Sequence, residues 1–249
     1  MKNHSFKLLV KTGLTEIIRE PRLMFFSLLF PLFFLGLFGI MDTVIVPSEE
    51  MELSFLQYLF PGLLIFALVS IGLLGTSVPL IEMRVKGILK TLKSTPLKIE
   101  TFILSQIVVR FILSIFQIVF FTLLGFFLGY IKLKHIIPFV LISLLGMVMI
   151  LTFGFFFGNF FKNVEVASGV LSIFMVPLLM MSGALLPQDI LPDSLQKAAY
   201  VIPFTYLTDL YHYVLFGMEG LVSNLASVGI IVGVSAIFFY LTIKTFRWT

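Results

Sequence analysis

The sequence predicts an all-α, polytopic membrane protein, and three observations carry that prediction. Of its 249 residues, 59% are hydrophobic and 12% charged, where a soluble domain carries about 25% charged residues. The mean hydropathy is +1.11, and the apolar residues fall in runs of the roughly 20 helical residues that cross a bilayer. Lys and Arg are segregated by loop rather than spread evenly, so the formal charge of +4 reads as topology and not as a nucleic-acid surface. There is no cysteine, which removes disulfides, thiolate metal ligands and cysteine nucleophiles.

Residues 5–20 come first. Phe6, Val10, Leu14, Ile17 and Ile18 form one apolar stripe, with Lys7, Lys11 and Arg19 beside it. The segment is too short and too charged to span, which predicts a helix lying in the interface plane; a disordered basic tail is the alternative. Pro21 closes it. Six spans follow, at residues 23–41, 55–81, 102–130, 136–161, 166–181 and 221–246. The first reaches about 28 Å as a helix, enough for the hydrocarbon core. Pro31 predicts a kink in it, and Pro61 and Pro79 stand near the ends of the second. Lys244, Arg247 and the single Trp248 end the last span as an interfacial anchor. No small-residue cleavage motif follows the first apolar run, so a cleaved leader is not expected.

With six spans both termini share one side. Thirteen Lys and Arg lie there: five in the N-terminal segment, five in residues 82–98, Lys162, and two at the C-terminus. The other side holds Lys132, Lys134 and Lys197 among Asp42, Glu49, Glu50, Glu52, Asp189, Asp193, Asp209 and Glu219. The positive-inside rule then makes both termini cytoplasmic. Arg110 belongs to neither side, lying about two turns into the third span with Gln106 and Gln117 nearby. A lone Arg in hydrocarbon costs about 2.5–3.5 kcal/mol. It therefore either snorkels to the cytoplasmic edge or faces protein or water in a gating role.

The polar island between spans two and three, Glu82 to Lys98, reads EMRVKGILKTLKSTPLK. Ile81, Val85, Ile88, Leu89 and Leu92 recur at helical spacing and line one face, while Lys86, Lys90 and Lys93 cluster on the other. Thr95 precedes Pro96 and should end the helix. The prediction is a short amphipathic helix over 82–97, placed for another protein to push on; ordinary solvated charge is the alternative. Residues 183–220 are the second irregular region. Pro187, Pro192 and Pro203 break it, and Asp189 and Asp193 sit among Leu185, Leu186, Ile190, Leu191 and Leu195. This predicts outer re-entrant half-helices packed on protein, against the alternative of a simple external loop.

Enzyme chemistry is absent from the pattern. No G-x-x-x-x-G-K-[ST] string occurs, so ATP hydrolysis by that route is excluded. His4, His135 and His212 are far apart and form no H-E-x-x-H arrangement, so no metal site is expected. Most of the thirty phenylalanines read as packing or lipid-facing residues. The pairs Gly36/Gly39, Gly72/Gly75 and Gly125/Gly129 permit close helix contacts. Spans one, two and five are expected to form the seam with a second protomer.

With these features in view, the chain resembles the membrane subunits of ABC-2 type transporters over nearly its whole length, as one domain of residues 1–249. One motif is Glu82-x-Arg84-x-Lys86-Gly87, then Leu92 and Thr95-Pro96. The other is Ser182-Gly183, Pro187, Leu191-Pro192, Leu195, Pro203-Phe204-Thr205-Tyr206 and Asp209. Lys90 stands where many members carry an acidic residue, and His212 where an Arg is common.

The resemblance implies a permease subunit of an ATP-driven exporter in the cell membrane, as in multidrug resistance. It would pair with a second permease subunit, identical or similar, over cytoplasmic ATP-binding subunits that hold the ATP and Mg²⁺. Residues 82–97 would be the coupling helix, with Glu82, Arg84, Lys86, Gly87, Leu89, Lys90, Lys93, Thr95 and Pro96 at the ATPase. Arg110, Pro187, Asp189, Pro203, Tyr206 and Asp209 would serve gating and the outer segment. The cargo reads as an amphipathic small molecule, peptide or lipid-like compound. Rival readings are export of a polysaccharide or lipid-linked glycan, and a membrane assembly or immunity factor without transport.

Overall fold

The structure, a computed structural model, describes residues 2–19, 22–44 and 53–248, with side chains over 5–15, 28–40 and 53–248. Pro21 and the acidic residues Glu49, Glu50 and Glu52 lie outside the described residues, as do the side chains of Ile17, Ile18, Arg19 and Asp42.

Among the described residues all regular structure is helical. The long helices are α1 (Lys2–Arg19), α2 (Arg22–Val44), α3 (Phe55–Val69) and α4 (Gly75–Val85). After α5 (Ile88–Lys93) come α6 (Ile99–Phe127), α7 (Ile136–Gly158) and α8 (Val164–Met181). Then α9 (Asp193–Ala199) and α10 (Pro203–Phe216) precede α11 (Asn224–Thr245). Local chemistry explains several starts. Ser54 and Gln57 form a reciprocal capping box, each side chain accepting the other's backbone N–H at 3.2 Å. Asn163 Oδ1 accepts from Glu165 N at 2.7 Å and opens α8. Pro203 is the first residue of α10, where its missing N–H is no loss.

Five helical stretches are long and apolar enough to cross a membrane: Phe55–Val85, Ile99–Phe127, Leu133–Gly158, Val164–Met181 and Asn224–Thr245. The predicted first span is helical as α2, but its described apolar part, Leu28–Ile40, is shorter than a crossing. Among the described residues five helices are thus long and apolar enough to cross, and the sixth expected span is not shown.

The Phe55–Val85 span is the axis of the bundle. Its most apolar window is 72% buried, against 22% for α8. Helices α2, α6, α7, α8 and α10 pack around it. This corrects the expected seam: a helix already covered by its own chain offers no face to a second protomer, whereas Phe33 and Ile40 on α2 and Ile173 and Phe174 on α8 remain exposed. The axis is also interrupted. Ser70–Leu74 winds as one π-turn between α3 and α4, which no periodicity in the sequence marks.

Close backbone approach holds the axis to its neighbours. A Cβ on Gly154 of α7 would overlap the carbonyl of Gly72, and one on Gly72 would overlap Ile150. Ser77 Oγ donates to Gly154 O at 2.7 Å across the same crossing. Towards the opposite end, a Cβ on Gly62 would overlap the Ala184 carbonyl. Of the small-residue pairs, Gly125 packs on Phe60 and Ile131, but Gly36 and Gly129 meet nothing within 4 Å.

Gly154→Ala should therefore force α7 off the axis and lower stability by about 2–3 kcal/mol. Gly233→Ala on α11, with nothing within 4 Å, should change it by under about 0.5 kcal/mol. Thermal unfolding of the two purified variants checks the contrast.

Candidate functional site

The motif between the second and third spans folds differently from the predicted rod. Helix α4 runs on to Val85 without a break at the end of the apolar run. Gly87 then adopts φ +76°, a left-handed conformation that only glycine takes at low cost. The chain turns there and re-enters a helix as the six-residue α5. The expected single helix over 82–97 is an elbow, because one residue in its middle breaks the helical repeat. Gly87 serves the turn rather than close approach, since a Cβ there would meet nothing within 4 Å.

The elbow divides the expected apolar face. Leu89 is 0% exposed, packed with Leu80, Phe102, Ile103, Phe155 and Phe246. It anchors α5 to this chain and is not available to a partner's groove. Val85 and Ile88 point the other way, 64% and 44% exposed. Lys86, Lys90 and Lys93 are exposed around them, as are Thr95 and Pro96 in the turn before α6. Lys86 Nζ lies 3.2 Å from Glu82 Oε2 on the exposed surface. Thr95 Oγ1 donates to Leu92 O at 2.6 Å and closes α5. Beside the elbow, Lys93, Leu97, Lys98, Ile99, Glu100 and Trp248 line a cleft of about 400 Å³.

Arg84 faces inward, against the expectation that it would meet a partner. Its Nη1 donates to Gly158 O and Phe161 O, both at 3.2 Å, and its Nε to Arg247 O at 3.2 Å. Nη2 lies 3.4 Å from Asn159 Oδ1. The last carbonyls of a helix lack amide partners and carry partial negative charge. Arg84 supplies the donors for α7 and ties the foot of the axis to α7 and to the C-terminal tail.

The outer residues form a second cluster. Short helices replace the broken segment: a 3-10 turn at Gln188–Ile190 after Pro187, then α9 after Pro192, then α10 from Pro203. Helix α10 runs antiparallel beside α7, with Phe204 at Phe153, Leu207 at Gly146 and Tyr211 Oη donating to Ser143 Oγ at 2.7 Å. Its 14 residues reach about 21 Å, too short to cross. Tyr206 Oη donates to Tyr200 O at 2.6 Å, and Asp209 Oδ2 accepts from Leu221 N at 2.9 Å. Tyr206 thus ties α10 to the end of α9, and Asp209 ties it to the segment before α11. Asp189 is exposed.

Sequence reasoning missed the centre of this cluster. Tyr58 of α3 donates to Gly183 O at 3.2 Å, while His212 of α10 donates from Nε2 to Tyr58 O at 3.3 Å. The two ring centres lie 4.3 Å apart with the planes tilted by 40°. Burial pushes the His212 imidazole down to about 4, the hydrogen bond to Tyr58 opposing the shift. Burial likewise raises the Asp209 carboxyl, opposed by the Leu221 amide. The unusual histidine where an Arg is common was the available signal.

Arg110 is 5% exposed and does not snorkel. Its Nε donates to Gly75 O at 2.8 Å, and its Nη1 to Gln106 O and Oε1 at 3.2 and 2.7 Å. Its guanidinium lies 5.6 Å from the Phe155 ring centre. Among the described residues no group of three or more His, Asp or Glu could hold a metal ion.

The sequence pattern that defines the ABC-2 type transporter family matches residues 4–216. A protein assigned as a transport permease, ycf38 of Cyanophora paradoxa, is 32% identical over 203 residues, covering 80% of this chain and 69% of the relative.

Arg84→Ala removes the donors to the Gly158, Phe161 and Arg247 carbonyls and should cost about 2 kcal/mol, whereas Lys90→Ala should cost under about 0.5 kcal/mol; melting curves of the two variants give the comparison. For His212, the folded pKa lies below the unfolded one, so its contribution is complete above about pH 6.5 and is lost as pH falls towards about 4. The stability difference between wild type and His212→Gln should shrink across that window and stay flat from pH 7 to 8. A flat difference throughout would contradict it.

Proposed function

Because this chain belongs to the ABC-2 type transporter family, we propose that it is the permease subunit of an ATP-driven exporter. The observation that carries the reading is the elbow at Val85–Pro96. It presents two exposed apolar side chains, Val85 and Ile88, on a segment that also exposes Lys86, Lys90 and Lys93. Apolar anchors in a basic rim suit a groove with an acidic border, the anchors holding and the charges steering. A cytoplasmic ATP-binding subunit is the partner of that kind, and it supplies the ATP, the Mg²⁺ and the hydrolysis. This chain carries no phosphate-binding loop of its own.

The elbow is attached so that force on it reaches the membrane part. Leu89 is buried among α4, α6, α7 and the C-terminal tail, and Arg84 fastens the foot of the axis to the end of α7. A push on Ile88 therefore moves these elements together. In this reading α2 forms the sixth crossing, both termini are cytoplasmic, and residues 183–220 close the outer end. The exposed apolar faces of α2 and α8 meet a second permease subunit. The cargo is amphipathic, a small molecule, peptide or lipid-like compound.

Val85→Asp combined with Ile88→Asp should abolish co-purification of the ATP-binding subunit and reduce export at least about tenfold, with the melting temperature unchanged, because both side chains are exposed. Retained association and export in that variant would remove the elbow from the docking site.

A further inference from the structure

Two defects of the axis converge on Gly75. Its N–H closes the π-turn by donating to Ser70 O, five residues back. Its carbonyl would ordinarily accept from the residue four positions on, but that residue is Pro79, which has no N–H. The carbonyl is held instead by Arg110 Nε of α6 at 2.8 Å. Arg110 is itself seated by Gln106 and by the Phe155 ring. One turn above, the carbonyl of Ile71 takes a further bond from Thr76 Oγ1 at 3.3 Å. The weak point of the axis is thus held by side chains where the helix cannot hold itself.

Its position matters. Below Gly75, α4 leads to the elbow and its exposed anchors. Above it, α3 carries Tyr58 into the outer cluster with His212 and Gly183. Any movement passing from one end to the other along this helix crosses Gly75. Single π-turns inside α-helices mark places where the ladder can shift.

We propose that Arg110 is a positioning residue for transport: its bond to Gly75 O latches a joint in the axis, so that α3 and α4 move as one rod when latched and α4 pivots when the bond opens. The inference rests on the permease reading above, and it adds the joint and its latch. The motion biases a discrete contact rather than bending the whole helix.

Pro79→Ala tests it, because the new N–H supplies Gly75 O with a helical partner and makes Arg110 redundant there. In the full chain reconstituted with its ATP-binding subunit, Pro79→Ala should keep association and ATPase activity within about twofold while export falls about tenfold. Arg110→Met alone should lower the melting temperature by about 5 °C. Adding Pro79→Ala should restore most of that loss without restoring export, and Arg110→Lys should keep part of both. Hydrogen exchange at residues 75–80 should slow in Pro79→Ala.

Wild-type export by Pro79→Ala, or additive melting losses in the double variant, would overturn the joint. Failure of the unmodified chain to associate with any ATP-binding subunit would instead overturn the permease reading. The melting cycle would still decide whether Arg110 holds Gly75.

Discussion

A carbonyl at a helix end, or four residues before a proline, has no amide to accept from, and in apolar surroundings no water can replace it. That constraint accounts for some of the polar side chains in this bundle, and other backbone carbonyls recruit donors as well. Arg110 serves Gly75, Arg84 serves Gly158 and Phe161, and Ser77 adds a donor to Gly154. Tyr58 serves Gly183, His212 serves Tyr58, and Thr205 serves Ala199. Two arginines that would be costly as free charges are seated by carbonyl dipoles, which gives each a fixed position.

The consequence for function is mechanical. The elbow is short, but it is not a loose loop, because Leu89 and Arg84 bind it to α6, α7 and the tail on three sides. The other end of the same axis is tied to the short outer helices through Tyr58 and the Gly62–Ala184 contact. Close glycine crossings on α7 leave no soft layer between axis and neighbour. Along the axis the helical ladder is interrupted at the Ser70–Leu74 π-turn and at Pro79.

Much of this could be read in advance. The apolar runs, the breaks at Pro187, Pro192 and Pro203, and the exposed Lys86, Lys90 and Lys93 all follow from local pattern. Other readings failed for identifiable reasons. Helical spacing placed Leu89 with Val85 and Ile88 on one face, but a left-handed Gly87 rotated the second half, burying one and exposing the others. The family resemblance placed Arg84 at the ATPase, although its partners are carbonyls far away in sequence, including Gly158 and Arg247. Small-residue spacing placed the second span at a seam, whereas its glycines pack on α7 and Ala184 of the same chain.

By itself the sequence determined the helical membrane architecture, the family motifs and the segregation of Lys and Arg by loop, because hydrophobic length, proline and charge placement are local properties that need no partner to be read. The tertiary structure alone decided which span is the axis, which way Leu89 and Arg84 turn, and that Arg110 stands where Pro79 leaves a carbonyl bare. Those outcomes depend on which backbone groups from distant segments come within hydrogen-bonding reach, and spacing along one helix carries no record of that.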